Sequence, residues 1–217
     1  MAFEIEWIPS KFINSGKISN EMIIIHHTGS TNGRINSIEG TISWFRPDTW
    51  RNDNQVSSQY IIAREERPII QMVRDLDTAW HAGRSEWVIN GVLRKDLNDR
   101  SIGIELQGDG NLVSFTDFQY EALIWLVKQK IQQFNIPIEL IRGHEEVSSG
   151  KVDPGYKFDW ERLKHGLTSN SVYIPDNGDE DDDDVVIFEE TDDVYIPSGK
   201  GRSFWEKLLD SIFSIFR

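Results

Sequence analysis

The most constraining feature of the chain is a short apolar run, Met22-Ile23-Ile24-Ile25, that ends directly in two histidines. A run of this length rich in β-branched residues predicts a buried strand. His26 follows at the carboxyl end of that strand, where rigid backbone holds its side chain towards a cleft. The run therefore predicts an interior strand that carries a candidate functional residue.

Two segments carry the patterns of helices. Apolar residues recur at helical spacing from Ile35 to Phe45, which predicts a helix that ends before Pro47. Thr116 and Gln119 form a capping box at the start of a longer segment with an apolar stripe. This second helix is predicted to stop before Pro137, because proline cannot continue a helix.

Strand patterns occur between these helices. Residues 60–63 and 69–73 are predicted to pair around a turn that contains Pro68. The order of strand, helix, strands and helix predicts an α/β fold, a single domain with a central mixed β-sheet flanked by helices. We assign residues 22–167 to this domain and residues 1–21 to an N-terminal extension laid against it.

The composition changes sharply after the domain. Residues 176–193 hold eleven acidic and no basic residues; without these eleven, 25 of the 36 acidic residues remain against 23 basic ones. The net charge of −13 is therefore a property of the tail. Such a run is typical of a solvated linker, and residues 168–202 are predicted to be one. A calcium loop at residues 176–179 is the alternative, but it lacks the spaced ligands of an EF-hand.

The tail also carries features that a passive linker does not need. The sequence Val-Tyr-Ile-Pro occurs at residues 172–175 and again at 194–197. Residues 203–217 combine a capping box with an apolar face, which predicts a C-terminal amphipathic helix. The polar face of this helix carries Glu206, Lys207 and Asp210, which is not the basic face that anionic lipid would need. We expect it to mediate dimerisation or docking to a protein partner.

Several classes of function are disfavoured by what the chain lacks. The acidic excess argues against nucleic acid as a ligand, and no apolar run reaches the ~20 residues of a membrane span. The chain has no cysteine, so disulfides and thiolate ligands are excluded. The first residues show no signal-peptide pattern. We therefore expect a cytoplasmic protein, and any export would need a separate system.

Three side chains could close on one divalent metal. A catalytic zinc site needs three nitrogen, oxygen or sulfur ligands and an open fourth position. His26 at the end of its strand is one candidate, and His144 and Asp153 supply two more from a predicted loop that ends in Asp153-Pro154-Gly155. The alternative for His26 is an ordinary buried core histidine.

Two further residues fit the catalytic roles of a zinc hydrolase. Lys151 lies two residues before Asp153, so its ammonium could stabilise a developing oxyanion. Glu105 alternates with Ile104 and Leu106 on a predicted strand and could act as general base. The alternatives are a solvated loop lysine and an outward-facing strand glutamate.

A loop beginning at Trp80-His81-Ala82-Gly83-Arg84 has the composition of a ligand-binding segment. An exposed aromatic ring suits a sugar, and arginine can bind a carboxylate through two parallel hydrogen bonds. A buried Trp80 with Arg84 on the surface is the equally simple alternative. On either interpretation, the loop is a candidate wall of the site.

Several motifs together resemble the zinc-dependent type-2 N-acetylmuramoyl-L-alanine amidases, relatives of the peptidoglycan recognition proteins. The resemblance covers roughly residues 20 to 165, and linked motifs in a fixed order are more specific than any one of them. The motifs are Ile23–Thr28, Ala79–Gly83, Ser101–Leu106, Gly143–Val147 and Lys151–Gly155. The family implies a Zn²⁺ enzyme that cuts the amide between the lactyl group of muramic acid and L-alanine.

The resemblance also implies roles for individual residues. The family's zinc ligands correspond to His26, His144 and Asp153, with cysteine at the third position in some members, and its catalytic lysine to Lys151. A substrate-contacting histidine corresponds to His81, with Trp80 and Arg84 beside it. His27 joins this group in a supporting role.

The chain departs from part of the family at one position. A tyrosine that assists catalysis in some members is replaced here by Ser58. Members without that tyrosine carry a glutamate at the position of Glu105. The resemblance therefore implies the glutamate-dependent branch.

The function expected from the sequence is hydrolysis of peptidoglycan or a muropeptide by zinc-activated water. A phage-type endolysin or other cell-wall lytic enzyme is the leading hypothesis. A muropeptide-recycling amidase and a non-catalytic peptidoglycan-binding module are the alternatives.

Overall fold

The computed structural model describes residues 2–46 and 55–169. Within these ranges the chain forms twelve short strands, four α-helices and two 3-10 helices. The predicted tail linker from residue 170 onward and the predicted C-terminal helix lie outside the described residues. Among the helices that are described, none is both long and apolar enough to span a membrane.

Six strands build the central sheet, and the other six form three small two-stranded sheets. In chain order the strands are Ile5–Trp7 (β1), Ile13–Asn14 (β2), Met22–His27 (β3), Ser30–Thr31 (β4), Arg34–Ile35 (β5), Tyr60–Ile62 (β6), Ile69–Gln71 (β7), Thr78–Ala79 (β8), Glu86–Ile89 (β9), Val92–Lys95 (β10), Ser101–Leu106 (β11) and Ile141–Gly143 (β12). The helices are Ile38–Phe45 (α1), Asp117–Phe134 (α2), His144–Val147 (α3) and Trp160–Thr168 (α4), with 3-10 turns at Leu97–Arg100 and Ile138–Leu140.

The central sheet has the strand order β1-β7-β6-β11-β3-β12 and is mixed. Strands β6, β11, β3 and β12 run parallel to one another, whereas β7 is antiparallel to β6. The register places Glu105 of β11 directly beside His26 of β3. Residues side by side in register point to the same face, so the two polar side chains share one surface of the sheet.

Each face of the sheet is covered by a separate apolar layer. Helices α2 and α4 pack on the face that carries Ile23 and Ile25. On the opposite face, α1 lies over Ile61 and Ile70, and a second cluster around Ile24 covers the other end. This division explains why β3 is apolar at every position before its histidines, and it confirms the predicted α/β fold.

Helix α1 begins three residues later than its apolar spacing suggests. Ser37 is the N-cap, and its hydroxyl accepts a hydrogen bond from the Gly40 backbone N–H. Ile35 belongs instead to β5 of a small hairpin. Capping chemistry, which the periodicity does not contain, sets the boundary.

Helix α2 starts and ends where its sequence signals predict. The Thr116 hydroxyl accepts from the Gln119 N–H while the Gln119 side chain accepts from the Thr116 N–H. Asn135 adopts a left-handed conformation after the last turn, just ahead of Pro137. The predicted capping box is therefore confirmed.

The N-terminal segment contributes directly to the sheet. Residues Ile5–Trp7 pair in parallel with β7 as its edge strand, so the segment predicted as an extension holds the first strand of the domain. All three residues are exposed, so the strand has no alternation of buried and exposed residues that the sequence could reveal. The pairing is made by backbone hydrogen bonds, continued by Ile8 N–H donating to the Gln71 carbonyl.

Candidate active site

Two histidines meet at the carboxyl edge of the parallel strands. His26 is near the end of β3, and His144 is the first residue of α3, immediately after β12. Because β3 and β12 are parallel neighbours, their carboxyl ends lie at the same edge. His144 is thus positioned by a strand and a helical turn, not by the loop that the sequence suggested.

Asp153 completes a triangle with the two histidines. Its Oδ2 atom is 2.9 Å from His26 Nδ1 and 3.0 Å from His144 Nδ1, and the two Nδ1 atoms are 3.1 Å apart. The Glu145 backbone N–H donates to the Asp153 carbonyl, which ties the aspartate loop to the start of α3. These groups are the one set of three or more potential metal ligands that converge within the described residues.

The three atoms fit the needs of a zinc ion. Tetrahedral zinc with bonds of about 2.0–2.1 Å holds its ligands roughly 3.3 Å apart, close to the separations found here. Two imidazole nitrogens and one carboxylate oxygen form a donor set typical of catalytic zinc. The described residues therefore could hold the metal, with Nδ1 as the donor atom of each histidine.

The outer nitrogens of both histidines are held by protein groups, which fixes the tautomer each needs. His144 Nε2 is 3.2 Å from the Ala82 carbonyl, so this nitrogen carries the proton and Nδ1 keeps a free lone pair. His26 Nε2 is 2.9 Å from His81 Nδ1. With His26 Nε2–H as the donor, its Nδ1 is likewise free for a metal.

A hydrogen-bonded chain continues behind His26. His81 Nε2 lies 3.3 Å from the Ser101 hydroxyl, which donates to the Leu97 carbonyl at 2.6 Å. Donation therefore runs in one direction, from His26 through His81 and Ser101 to the backbone. This direction is consistent at every step only when His26 presents Nδ1 to the site.

Burial and hydrogen bonding favour the protonation states that metal binding requires. Burial lowers the pKa of His26 to about 4 and that of His81 well below its usual value, so both rings are neutral near pH 7. Burial raises the pKa of Asp153, but the two histidines that approach its Oδ2 atom outweigh burial and lower that pKa strongly. Neutral imidazoles and an ionised carboxylate are the metal-binding forms.

His81 occupies a different place from the one expected for a substrate contact. Its side chain is buried beneath His26, and both ring nitrogens face protein atoms. Space for the ring exists because Gly103 on β11 has no side chain; a Cβ there would lie 2.6 Å from the His81 ring. The position suits a residue that orients His26 and does not touch substrate.

Replacing Gly103 with alanine is expected to weaken zinc binding about 10- to 100-fold, the usual cost of disturbing a residue that orients a metal ligand. The new methyl group would displace the His81 ring and break its contact with His26. Zinc affinity is measured by competition with a chromophoric chelator.

The double variant Gly103→Ala/His81→Ala separates ring displacement from damage to the strand. Without the ring the added methyl group fits, so thermal stability should recover while zinc binding stays weak. Unchanged zinc affinity in Gly103→Ala would show that His81 does not orient His26.

Glu105 lies beside the ligands in an apolar setting. Glu105 is 6% exposed, and its Oε2 atom has no hydrogen-bond partner within residues 2–46 and 55–169. Burial raises its pKa well above the usual range, and the nearby Asp153 carboxylate adds to this effect. A divalent cation at the adjacent ligands would oppose the shift. A buried carboxylate oxygen that lacks a partner is expected of a group that contacts substrate or water once the substrate binds.

Lys151 lies on the exposed rim of the same site. Its positive charge opposes the rise that burial causes in the pKa of Glu105 and adds slightly to the fall in the pKa of His26, so its ammonium lies within electrostatic range of the centre. The residue itself is exposed, which leaves the side chain free to move towards a bound ligand. The structure thus brings together all five residues predicted as ligands or catalytic groups.

The other predicted residues have separate positions. Trp80 is half-buried and stacks on Phe12 with ring centroids 5.9 Å apart, whereas Arg84 is exposed. His27 points away from the ligands, and its Nδ1 atom lies 2.9 Å from the Gly110 N–H. Ser58 is fully buried, and its hydroxyl has no partner among the residues that the structure describes. His27 therefore anchors a loop, and only Trp80 and Arg84 remain at positions open to a ligand.

Sequence reasoning missed the supporting residues of the site. Ser101 and Gly103 share the face of β11 that carries Glu105, and the Gln59 side chain accepts a hydrogen bond from the Gly103 N–H within the strand at 2.8 Å. The alternation Ser101-x-Gly103-x-Glu105 was the available signal, because small or polar residues on one face of a buried strand indicate a close approach by other groups.

A mixed sheet with three converging ligands at the edge of its parallel strands, beside a buried carboxylate, defines a candidate metallohydrolase. The family described as N-acetylmuramoyl-L-alanine amidase matches the chain over residues 16–156. The chain belongs to this family.

Curated relatives and solved structures agree with that membership. The 1,6-anhydro-N-acetylmuramyl-L-alanine amidase AmpD of Haemophilus influenzae is 43% identical over 110 residues, 50% of this chain and 56% of the relative. The amidase AmiD of Escherichia coli is 37% identical over 126 residues, 51% of this chain and 44% of the relative. The chain thus spans about half the length of the curated relatives it matches.

The fold is also similar to solved amidases. A selenomethionyl AmpD structure superposes with a TM-score of 0.67 at 27% identity, covering 77% of this chain and 97% of that one. A complex of Escherichia coli AmiD with the substrate anhydro-N-acetylmuramic acid-L-Ala-D-gamma-Glu-L-Lys superposes with a TM-score of 0.57 at 30% identity, covering 70% and 59% of the two chains.

Proposed function

We propose that the protein is a zinc-dependent N-acetylmuramoyl-L-alanine amidase that hydrolyses the amide between the lactyl group of muramic acid and L-alanine. The observation that supports this most is the convergence of His26, His144 and Asp153 within about 3 Å of one another in a chain of this family. The products are the lactyl carboxylate and a stem peptide with a free L-alanine amine.

A zinc ion held by the three ligands would activate water for attack and polarise the amide carbonyl. Glu105 is placed to accept the proton of the attacking water and to pass a proton to the departing alanine nitrogen. Lys151 on the rim neutralises the negative charge that develops on the carbonyl oxygen. His81 keeps His26 in the tautomer that serves as a ligand.

Two forms of substrate fit this chemistry. A lytic enzyme, such as an endolysin, acts on the polymeric cell wall, and this is the form we favour. The second candidate is a recycling amidase for soluble muropeptides, which the resemblance to AmpD favours. The AmiD complex with an anhydromuropeptide supports a peptidoglycan fragment as the ligand of a related site. A binding module without turnover is less well supported, because the chain carries a candidate residue for each ligand and catalytic role.

The test is mass spectrometry of purified sacculi, and of a soluble anhydromuropeptide, after digestion with the zinc-loaded protein. We expect stem peptides with a free N-terminal L-alanine, and we expect a chelator to abolish them. Release from sacculi supports the lytic role, and release from the soluble fragment alone supports recycling. If neither substrate is cut although zinc is bound stoichiometrically, the proposal of an amidase is wrong.

A further inference from the structure

A pocket lies between α1 and the segment that follows β3, the strand that carries His26. It has a volume of about 500 Å³, within the range of sites for small ligands, roughly 300–1,000 Å³. One wall is the segment that begins at Thr28, two residues beyond His26, and the other is the helix α1. At about 3.3 Å per strand residue, Thr28 lies roughly 7 Å from His26 along the chain.

The lining of this pocket is polar but carries no charge. None of its ten residues is acidic or basic, and hydroxyl groups come from both walls, including Thr28, Ser30, Ser37 and Thr41. A carboxylate or ammonium bound here would lose water without gaining a counter-charge, which is unfavourable. The composition therefore favours an uncharged ligand rich in hydrogen-bonding groups over the carboxylates of a stem peptide.

Thr41 supplies an unused hydrogen-bonding group. The residue is 3% exposed, it lines the pocket, and its Oγ1 atom has no partner among the described residues. A buried hydroxyl without a partner costs free energy, so a native structure keeps one rarely and with a reason. A ligand hydroxyl or amide would satisfy it.

Trp44 supplies an exposed aromatic surface one helical turn away. It is 49% exposed although it is a large apolar side chain, and it shares the pocket face of α1 with Ser37 and Thr41. Gly40 on the same face keeps that wall low, since it adds no side chain. The flat ring can pack against the C–H face of a pyranose, as aromatic side chains commonly contribute large contact areas.

We propose that this pocket binds an uncharged sugar unit of the glycan strand next to the muramic acid that is cut. This inference rests on the proposed amidase function for its biological substrate, but the binding of sugar can be measured without any activity. A glycan polymer supplies a neighbouring sugar that can occupy this pocket, whereas a single muropeptide does not. The enzyme should therefore bind the polymer more tightly than the single muropeptide. The pocket therefore favours the cell wall itself as substrate.

The binding test uses tri-N-acetylchitotriose, a neutral oligosaccharide with neither lactyl group nor peptide. Isothermal titration on the zinc-loaded protein should show that Trp44→Ala weakens binding about tenfold or more, corresponding to the loss of one aromatic stacking contact. Trp7→Ala is the matched control, because Trp7 is 47% exposed on the edge strand β1, away from the pocket. It should bind as the wild type does. Equal affinity of Trp44→Ala and Trp7→Ala for tri-N-acetylchitotriose would overturn the proposal.

Thr41→Val provides a second variant that keeps the shape of the side chain. Because the hydroxyl it removes has no partner in the part of the chain that the structure describes, folding should be unaffected, while chitotriose binding falls about three- to tenfold. Thr41→Ser keeps the hydroxyl and should retain most of the affinity. If Thr41→Val binds as tightly as Thr41→Ser, the hydroxyl does not contact the sugar and the assignment of the pocket is wrong.

A kinetic comparison connects the pocket to catalysis. Trp44→Ala should lower kcat/KM about tenfold on glycan chains that carry stem peptides and leave it unchanged on a single-sugar muropeptide, with zinc content constant. An equal loss on both substrates would contradict a separate sugar pocket. If the wild type cuts neither substrate, the amidase proposal fails, and the chitotriose titration still decides whether the pocket binds sugar.

Discussion

Replacing Asp153 with alanine is expected to abolish zinc binding and amidase activity together. The carboxylate lies within 3.0 Å of both histidine Nδ1 atoms and is the only charged member of the set. A bound metal contributes several kcal/mol to the transition state, so activity should fall by about a thousandfold or more. Zinc content is measured by mass spectrometry after dialysis, and activity by release of free L-alanine termini.

Thermal unfolding tests the role of Asp153 in zinc binding without any measurement of activity. Zinc that binds only the folded state raises the melting temperature of the protein. A chelator should therefore lower that temperature in the wild type and not in Asp153→Ala. Asp109→Ala is the matched control: Asp109 is a loop carboxylate hydrogen-bonded to Ser30 and is not one of the three converging ligands. It should retain zinc. Stoichiometric zinc in Asp153→Ala would refute the ligand assignment.

Asp153→Cys distinguishes a ligand from a residue that only shapes the loop. A thiolate is also a zinc ligand, with a bond of about 2.3 Å. The cysteine variant should therefore recover zinc binding that alanine loses. Failure of cysteine to restore zinc would indicate that the site cannot adjust to the longer bond.

The parts of the fold that the sequence predicted are those whose signal is local. The apolar strand before His26 and the capped helix from Asp117 to Phe134 appear as expected, because burial and capping leave a pattern along the chain. The edge strand at Ile5–Trp7 left none, since all of its residues are exposed and its pairing depends on a strand more than sixty residues away.

The ligands required information of another kind. His26 is separated from His144 by 118 residues and from Asp153 by 127, and spacing alone cannot show that they meet. The ordered motifs indicated the set, and the parallel pairing of β3 with β12 gives the physical reason. Family membership and geometry therefore support each other at this point.

His81 shows where a motif fails to give a position. Its neighbours Trp80 and Arg84 have the composition of an open binding loop, and a substrate contact was the natural inference. Whether the ring faces the cleft or lies under His26 is decided by the absence of a side chain at Gly103, on another strand. Such a contact depends on packing between distant segments and leaves no trace in local sequence.

Replacing Glu105 with glutamine is expected to leave zinc binding intact while kcat falls about a hundredfold or more, the typical contribution of a general base. Glutamine has nearly the same shape, so the buried site beside His26 should be preserved. It cannot accept the proton of the attacking water, whereas contacts to the ground-state substrate are retained. The expected result is a lower kcat with little change in KM.

Glu145→Gln is the matched control for this variant. Glu145 accepts a hydrogen bond from the Gly155 backbone N–H near the ligand loop, a contact that the glutamine oxygen can also make. Its turnover should stay within about twofold of the wild type, since no proton-transfer role is lost.

Ser58→Ala tests the competing assignment, in which the position of the missing tyrosine still takes part in catalysis. The Ser58 hydroxyl is fully buried and makes no hydrogen bond to any described residue, so its removal should have little effect on turnover. A large loss in Ser58→Ala together with a small one in Glu105→Gln would transfer the proton-transfer role away from Glu105. The opposite result is a hundredfold loss of kcat that occurs only in Glu105→Gln, with zinc retained. This result would identify Glu105 as the general base and not as a zinc ligand, because replacing a ligand should reduce both metal binding and turnover.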